Sequence, residues 1–230
     1  MKSSRFRAYK ARYRAAIRQV LSEAEPGRLD EIGFPAYSHA NPLINWLFWK
    51  RLHTVIDHVE REVPYDRVLD FGCGSGVMLP FLSKVSQSVI AADVDLVPLE
   101  HMMKHVPLSP NVQVLNISAE PLSREAAGTF DLIIALDVLE HVRDLGGTTD
   151  QLLRLLKPGR QLIVSGPTES LLYRFGRKLA GPEYSGDYHE RGVDEIRRML
   201  SRKAVVQPIA SLYWPAPLFE IFAARQLPSA

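Results

Sequence analysis

Residues 68–76 read Val-Leu-Asp-Phe-Gly-Cys-Gly-Ser-Gly, and no other stretch constrains the fold as much. Val68-Leu69-Asp70-Phe71 has the apolar texture of a buried strand, and Val77 opens a helical segment. Glycines at 72, 74 and 76 let the intervening backbone turn sharply and approach a ligand closely. Strand, glycine turn and helix in that order make the first unit of an open α/β sheet, whose ligands bind outside the carboxyl ends of the strands. The spacing is G-x-G-x-G. A dinucleotide fingerprint needs glycine or alanine at 77, and Val77 argues against an NAD-dependent oxidoreductase.

The same texture continues. Arg67–Phe71, Ser88–Asp93, Val112–Ile117, Phe130–Leu136 and Gln161–Ser165 are short apolar runs without strict alternation, as expected for strands covered on both faces. Between them Val77–Val85, Leu96–His105, Glu140–Leu145 and Thr148–Leu156 are predicted helices. Two further strands are predicted at Val205–Leu212 and Phe219–Arg225. This rhythm implies a Rossmann-like α/β fold with a mainly parallel sheet and helices on both faces. Asp93 ends the second run, at the strand tip beside the glycine loop. A carboxylate there can accept both hydroxyls of a ribose, or it can cap the next helix.

Ahead of the sheet, Phe6, Tyr9, Tyr13, Ile17, Val20 and Ala24 recur at steps of three and four, one face of a helix. The first 20 residues also hold seven Lys or Arg and no acid, while the whole chain has a net charge of only +2. A second helix is predicted from Pro42 to Glu62, with Asn41 as its cap. Within it Leu43, Trp46, Leu47, Trp49, Leu52, Val55, Ile56 and Val59 are expected core. The chain thus divides into a helical extension over 1–62 and a sheet domain over 63–230, with an acceptor-side insertion at 168–200. The lone cysteine, Cys73, permits no intrachain disulfide. No apolar stretch is long enough to span a bilayer.

Several of these stretches resemble class I S-adenosylmethionine-dependent methyltransferases. Residues 68–76 are similar to the family's first motif, V-L-D-x-G-C-G-x-G, and Asp93 to its acid after the second strand. Residues 130–142, Phe-Asp-Leu-Ile-Ile-Ala-Leu-Asp-Val-Leu-Glu-His-Val, resemble its fourth strand and F-D-x-V-x-x-x-x-V-L-E-H-V continuation. Leu156-Lys157-Pro158-Gly159-Arg160 resembles its L-K-P-G-G turn. Four motifs in the family's order are far more specific than any one of them. The resemblance implies a seven-stranded sheet with the last strand antiparallel, and S-adenosyl-L-methionine as cofactor. It also implies a binding set of Asp70, Gly72, Cys73, Gly74, Gly76, Asp93, Val94, Ser118, Ala119, Glu120, Leu136 and Asp137. Asp70 would orient the loop or meet the cofactor's ammonium, and Leu136-Asp137 would line the methionine end. One departure stands out: Ser118-Ala119-Glu120 occupies the place of the family's Asp-Ala, leaving adenine to Ser118 or to the Ala119 amide.

An oxygen acceptor of high pKa also needs a base or a metal. His141 and His189 are the candidate bases. Asp137, Glu140 and His141 fall at i, i+3 and i+4, so a helix there would aim them together at a divalent ion. The spacing is similar to the E-x-x-E-H pattern of ubiquinone-biosynthesis O-methyltransferases, with Asp137 for the first Glu. The segment Tyr213-Trp214-Pro215-Ala216-Pro217 is placed either to line an acceptor pocket or to rim a membrane-facing edge. The expected acceptor is a small or lipid-linked molecule, methylated at oxygen. Nucleic acid is not expected, because no Asn-Pro-Pro-Tyr-type motif follows the fourth strand and no RNA module is visible. RNA or protein methylation, and a nucleotide-binding module without catalysis, are the rival readings. A cytoplasmic protein is expected. Its basic first helix either adsorbs to an anionic membrane surface or caps the sheet domain.

Overall fold

The computed structural model describes residues 3–23, 34, 37, 41–168, 192–213 and 217–226. Ahead of the sheet lie α1 (Ser3–Glu23) and α2 (Pro42–Val59), the latter extended by a 3-10 turn at Glu60–Glu62. The sheet elements then alternate with helices: β1 (Tyr65–Phe71), α3 (Leu79–Val85), β2 (Ser86–Asp93), α4 (Val97–Met103), β3 (Val112–Asn116) and β4 (Phe130–Leu136). They continue with α5 (Leu145–Leu155), β5 (Leu156–Pro167), α6 (Val193–Ser201), β6 (Ala204–Leu212) and β7 (Phe219–Gln226).

The seven strands form one sheet in the order β3-β2-β1-β4-β5-β7-β6. β1 to β5 are parallel, and β7 runs antiparallel to both β5 and β6. The strand order reverses between β1 and β4. That reversal is the topological switch point, where the loops on either side diverge and leave a crevice.

Alternate residues of each central strand feed opposite cores. Leu132 and Ile134 of β4 join α1, α2, α3 and α4 on one face. Ile133 and Ala135 join α5 and α6 on the other. All four are fully buried, and each large one contributes roughly 1.5–3 kcal/mol through burial. Only a strand apolar on both sides can sit there, which is why the runs lack alternation.

The strands match expectation closely, and two elements differ. β5 starts at Leu156 because Leu156 pairs with Phe130 ahead of a register irregularity. The expected helix over Glu140–Leu145 is a single 3-10 turn at Leu139–His141. Asp137 is left-handed (φ 53°) and Val142 is extended, so helical bonding cannot propagate through the segment. Asp144 then accepts the Gly147 N–H, and α5 begins at Leu145. In α2, Trp49, Leu52, Val55, Ile56 and Val59 are core as expected, whereas Leu43 and Trp46 are exposed. They lie in the first two turns of the helix.

Candidate functional site

The glycine loop hangs from β2. Gly72 and Cys73 both donate to the Ala92 carbonyl, and the Gly74 amide donates to Asp93 Oδ2 at 2.8 Å. Gly72, Gly74 and Gly76 all have positive φ, but their surroundings differ. A Cβ at Gly72 would lie 2.3 Å from Val138 Cγ2, and one at Gly76 2.6 Å from Leu99 Cδ1. A Cβ at Gly74 would meet nothing within 4 Å. Two glycines therefore pack the loop against its neighbours, and the middle one faces open space.

Asp93 sits at the tip of β2, half-buried, with Oδ1 accepting the Asp95 amide at 3.2 Å. Asp95 in turn accepts from Val97, the first residue of α4, whose N-cap Leu96 makes no side-chain capping bond. Asp70, at the end of β1, is buried. Burial, followed by the nearby Asp93 charge, pushes its carboxyl up to about 8. Burial likewise pushes the Cys73 thiol up. Val94 is exposed beyond β2. Past β3, Ser118 Oγ donates to the Val94 carbonyl, and the Ala119 amide is held by Asn116. Glu120 is exposed and paired with Arg124. Ser118 thus ties the rim of β3 to that of β2, a tie that the sequence departure from Asp-Ala did not suggest.

Helix α1 lies across this loop. The Tyr13 hydroxyl donates to the Ser75 carbonyl at 2.6 Å and sits 3.2 Å from Ser75 Oγ. The hydroxyl of Tyr9 is buried beside it without a hydrogen-bond partner and within electrostatic reach of Asp70. Phe6, Tyr13, Ile17 and Val20 are all buried, so the apolar stripe of α1 is spent on the protein's own core.

At the tip of β4, Leu136 is half-buried and Asp137 accepts from Ser165 Oγ at 3.2 Å. Its other oxygen is ion-paired with Arg51 of α2. Arg51 is fully buried, donates to the Tyr37 hydroxyl at 3.0 Å, and lies over the rings of Phe48 and Phe219. Sequence reading missed Arg51. The available signal was a charge in the apolar row that runs through Phe48, Leu52, Val55 and Val59.

Glu140 is buried with both carboxyl oxygens unpartnered, and burial raises its pKa. His141 is exposed. The expected metal set Asp137, Glu140 and His141 therefore does not converge. The helix that would align them is absent, Asp137 is taken by Arg51, and Glu140 and His141 point to core and solvent. No cluster of three His, Cys, Asp or Glu among the described residues can hold a metal ion. His189 and residues 169–191 of the insertion lie outside the described residues. No helix among the described residues is long and apolar enough to cross a membrane.

A glycine loop open at Gly74, an acid at each of the β1 and β2 tips, and this strand order define a methyltransferase-type site. The profile of a family described as a methyltransferase domain matches residues 7–216, and the chain belongs to that family. Among curated proteins, the ubiquinone biosynthesis O-methyltransferase of Methylocella silvestris is 32% identical over 146 residues, 63% of this chain and 56% of that protein. Its Pseudomonas aeruginosa counterpart is 31% identical over 136 residues, 58% of each. The match thus spans just over half the length of these relatives.

Solved structures agree on the fold. N-methyltransferase NodS of Bradyrhizobium japonicum, in complex with S-adenosylhomocysteine, aligns with a TM-score of 0.60 at 16% identity. That alignment covers 94% of this chain and 99% of NodS. Magnesium protoporphyrin IX methyltransferase of Synechocystis, also with S-adenosylhomocysteine bound, gives 0.57 at 16% identity over 93% and 94% of the two chains.

Proposed function

We propose that this chain transfers the methyl group of S-adenosyl-L-methionine to an oxygen of a small or lipid-like acceptor. The observation that carries the reading is the Gly74 cradle, open on one side and flanked by Asp70 and Asp93 at the switch point. The O-methyltransferase names of the sequence relatives support oxygen as the acceptor atom.

Bound there, the cofactor supplies a methyl on a sulfonium, a leaving group already activated. The work left to the protein is alignment. The residues present fit that task. The free side of Gly74 lets a ligand approach the backbone. Asp93 keeps acceptor capacity for ribose hydroxyls after binding the Gly74 amide. Asp70, once ionised, offers a charge to an ammonium. The acceptor's proton goes to a base, and His141 and His189 are the candidates in this proposal.

The outer face of α1 carries Arg5, Arg7, Arg12 and Arg18 among alanines, all exposed. This supports electrostatic contact with an anionic membrane surface as a further part of the proposal. With the apolar stripe buried, such contact would be made by charge alone.

Calorimetric titration with S-adenosylhomocysteine, beside NAD, tests the reading. Micromolar binding of S-adenosylhomocysteine alone is expected, with at least a tenfold loss in Asp93→Ala. Binding of NAD, or of neither ligand, would refute it.

A further inference from the structure

Arg51 is a buried cation with too few acceptors. Nη1 is ion-paired with Asp137, Nη2 donates to Tyr37 and Glu140 lies within electrostatic reach, but Nε and Nη1 are buried with no hydrogen-bond partner. A buried guanidinium with an unfilled donor is costly unless a ligand supplies the missing acceptor. The position of that donor is informative. Asp137 ends β4, and Phe219 begins β7 opposite Pro167 of β5. Arg51 therefore sits over β4, β5 and β7, on the far side of the switch point from β2 and Asp93.

The surrounding backbone is strained. Among the described residues only Asp137 and Tyr213 are non-glycine residues with positive φ, at 53° and 74°. Asp137 touches Arg51, and Tyr213 lies within electrostatic reach of it. Tyr213 is held by its hydroxyl, which donates to the Leu47 carbonyl at 2.9 Å, and its ring lies 5.4 Å from that of Trp46. Strain of this kind clusters where function demands a geometry.

We infer that Arg51 is the anion-recognition residue of the acceptor site, and that the acceptor carries a carboxylate on an apolar body. This rests on the methyltransferase reading above. The planar guanidinium matches a carboxylate, and the rings of Phe48, Phe219 and Tyr213 supply the apolar walls. An amide of the same shape would put an N–H against a donor and bind poorly.

The test titrates the complex of the full chain with S-adenosylhomocysteine, using benzoate, cinnamate and dodecanoate, each beside its amide. At least one carboxylate is expected to bind tenfold or more tighter than its amide. Arg51→Gln should abolish that preference, and Arg51→Lys should retain part of it. S-adenosylhomocysteine affinity should stay within about twofold of wild type in both. Equal binding of all three pairs by the wild type would overturn the inference without touching the proposed function. So would a parallel tenfold loss of S-adenosylhomocysteine in Arg51→Gln, which would give the arginine to the cofactor's own carboxylate. 5′-Methylthioadenosine, which lacks that carboxylate, would then bind wild type and variant equally. Failure of the wild type to bind S-adenosylhomocysteine at all would sink both readings.

Discussion

The two sides of the switch point are built differently. On the β1–β2 side the candidate site is mostly backbone: Gly72, Cys73 and Gly74 hang from the Ala92 carbonyl and the Asp93 side chain, within 22 residues of one another in the chain. On the β4–β7 side it is side chains drawn from everywhere: Tyr37, Phe48 and Arg51 ahead of the sheet, Asp137 in its middle, Tyr213 and Phe219 near its end. A site made of local backbone tolerates little change, because every atom is shared with the fold. A site made of distant side chains can be altered one residue at a time. The first arrangement suits a ligand that never varies, and the second suits one that does.

The sharpest way to break this contrast is through the glycines. Gly72→Ala and Gly76→Ala each add left-handed strain and a steric clash, and should destabilise the protein by about 2–5 kcal/mol in urea unfolding. Gly74→Ala adds the strain alone, about 1–2 kcal/mol, yet should cost S-adenosylhomocysteine affinity out of proportion to its stability loss. If Gly74→Ala binds normally, the open face is not where the ligand lies.

Asp70→Asn comes next. The folded-state pKa of Asp70 is raised to about 8, far above that of an unfolded aspartate. Between about pH 4 and pH 8 the folded protein holds a proton that the unfolded chain releases, so stability falls as pH rises through that window. The asparagine variant has no such loss. In thermal melts without ligand it should match wild type near pH 4 and exceed it by at least about 4 °C at pH 9. It should also bind S-adenosylhomocysteine more weakly, since no charge faces the ammonium. A variant neither stabilised at high pH nor impaired in binding would remove Asp70 from the site.

The smallest effect is expected from Tyr13→Phe, which deletes the tie between α1 and the loop. The cost should be about 1 kcal/mol, read from denaturation midpoints. A larger loss would mean that the cap and the loop form a single cooperative unit.

The sheet was legible in the sequence because a strand covered on both faces leaves an unmistakable apolar run, as in Phe130–Leu136. The loop was legible because its turns are made by closely spaced glycines, at 72, 74 and 76. The other half was not. Arg51 looks like one more charge on a helix, and only the tertiary fold shows it buried against the rings of Phe48 and Phe219. Asp137, Glu140 and His141 were misjudged for a related reason. Their spacing describes a helix, but a left-handed residue at 137 breaks the helix before it starts. The stripe on α1 was visible from its period, while its partner, a loop 62 residues away, was not.

That last separation bears on how the chain is made. During synthesis α1 leaves the ribosome long before Ser75 exists to receive Tyr13. Its aromatic face has nothing to dock on until β1, β2 and the turn between them are in place. Closing so long a loop is entropically slow, and non-local contacts of this kind delay folding. Meanwhile the exposed arginines Arg5, Arg7, Arg12 and Arg18 keep the rest of the waiting helix hydrated. Charge on one face of α1 thus offsets the apolar stripe on the other for as long as that stripe has no seat.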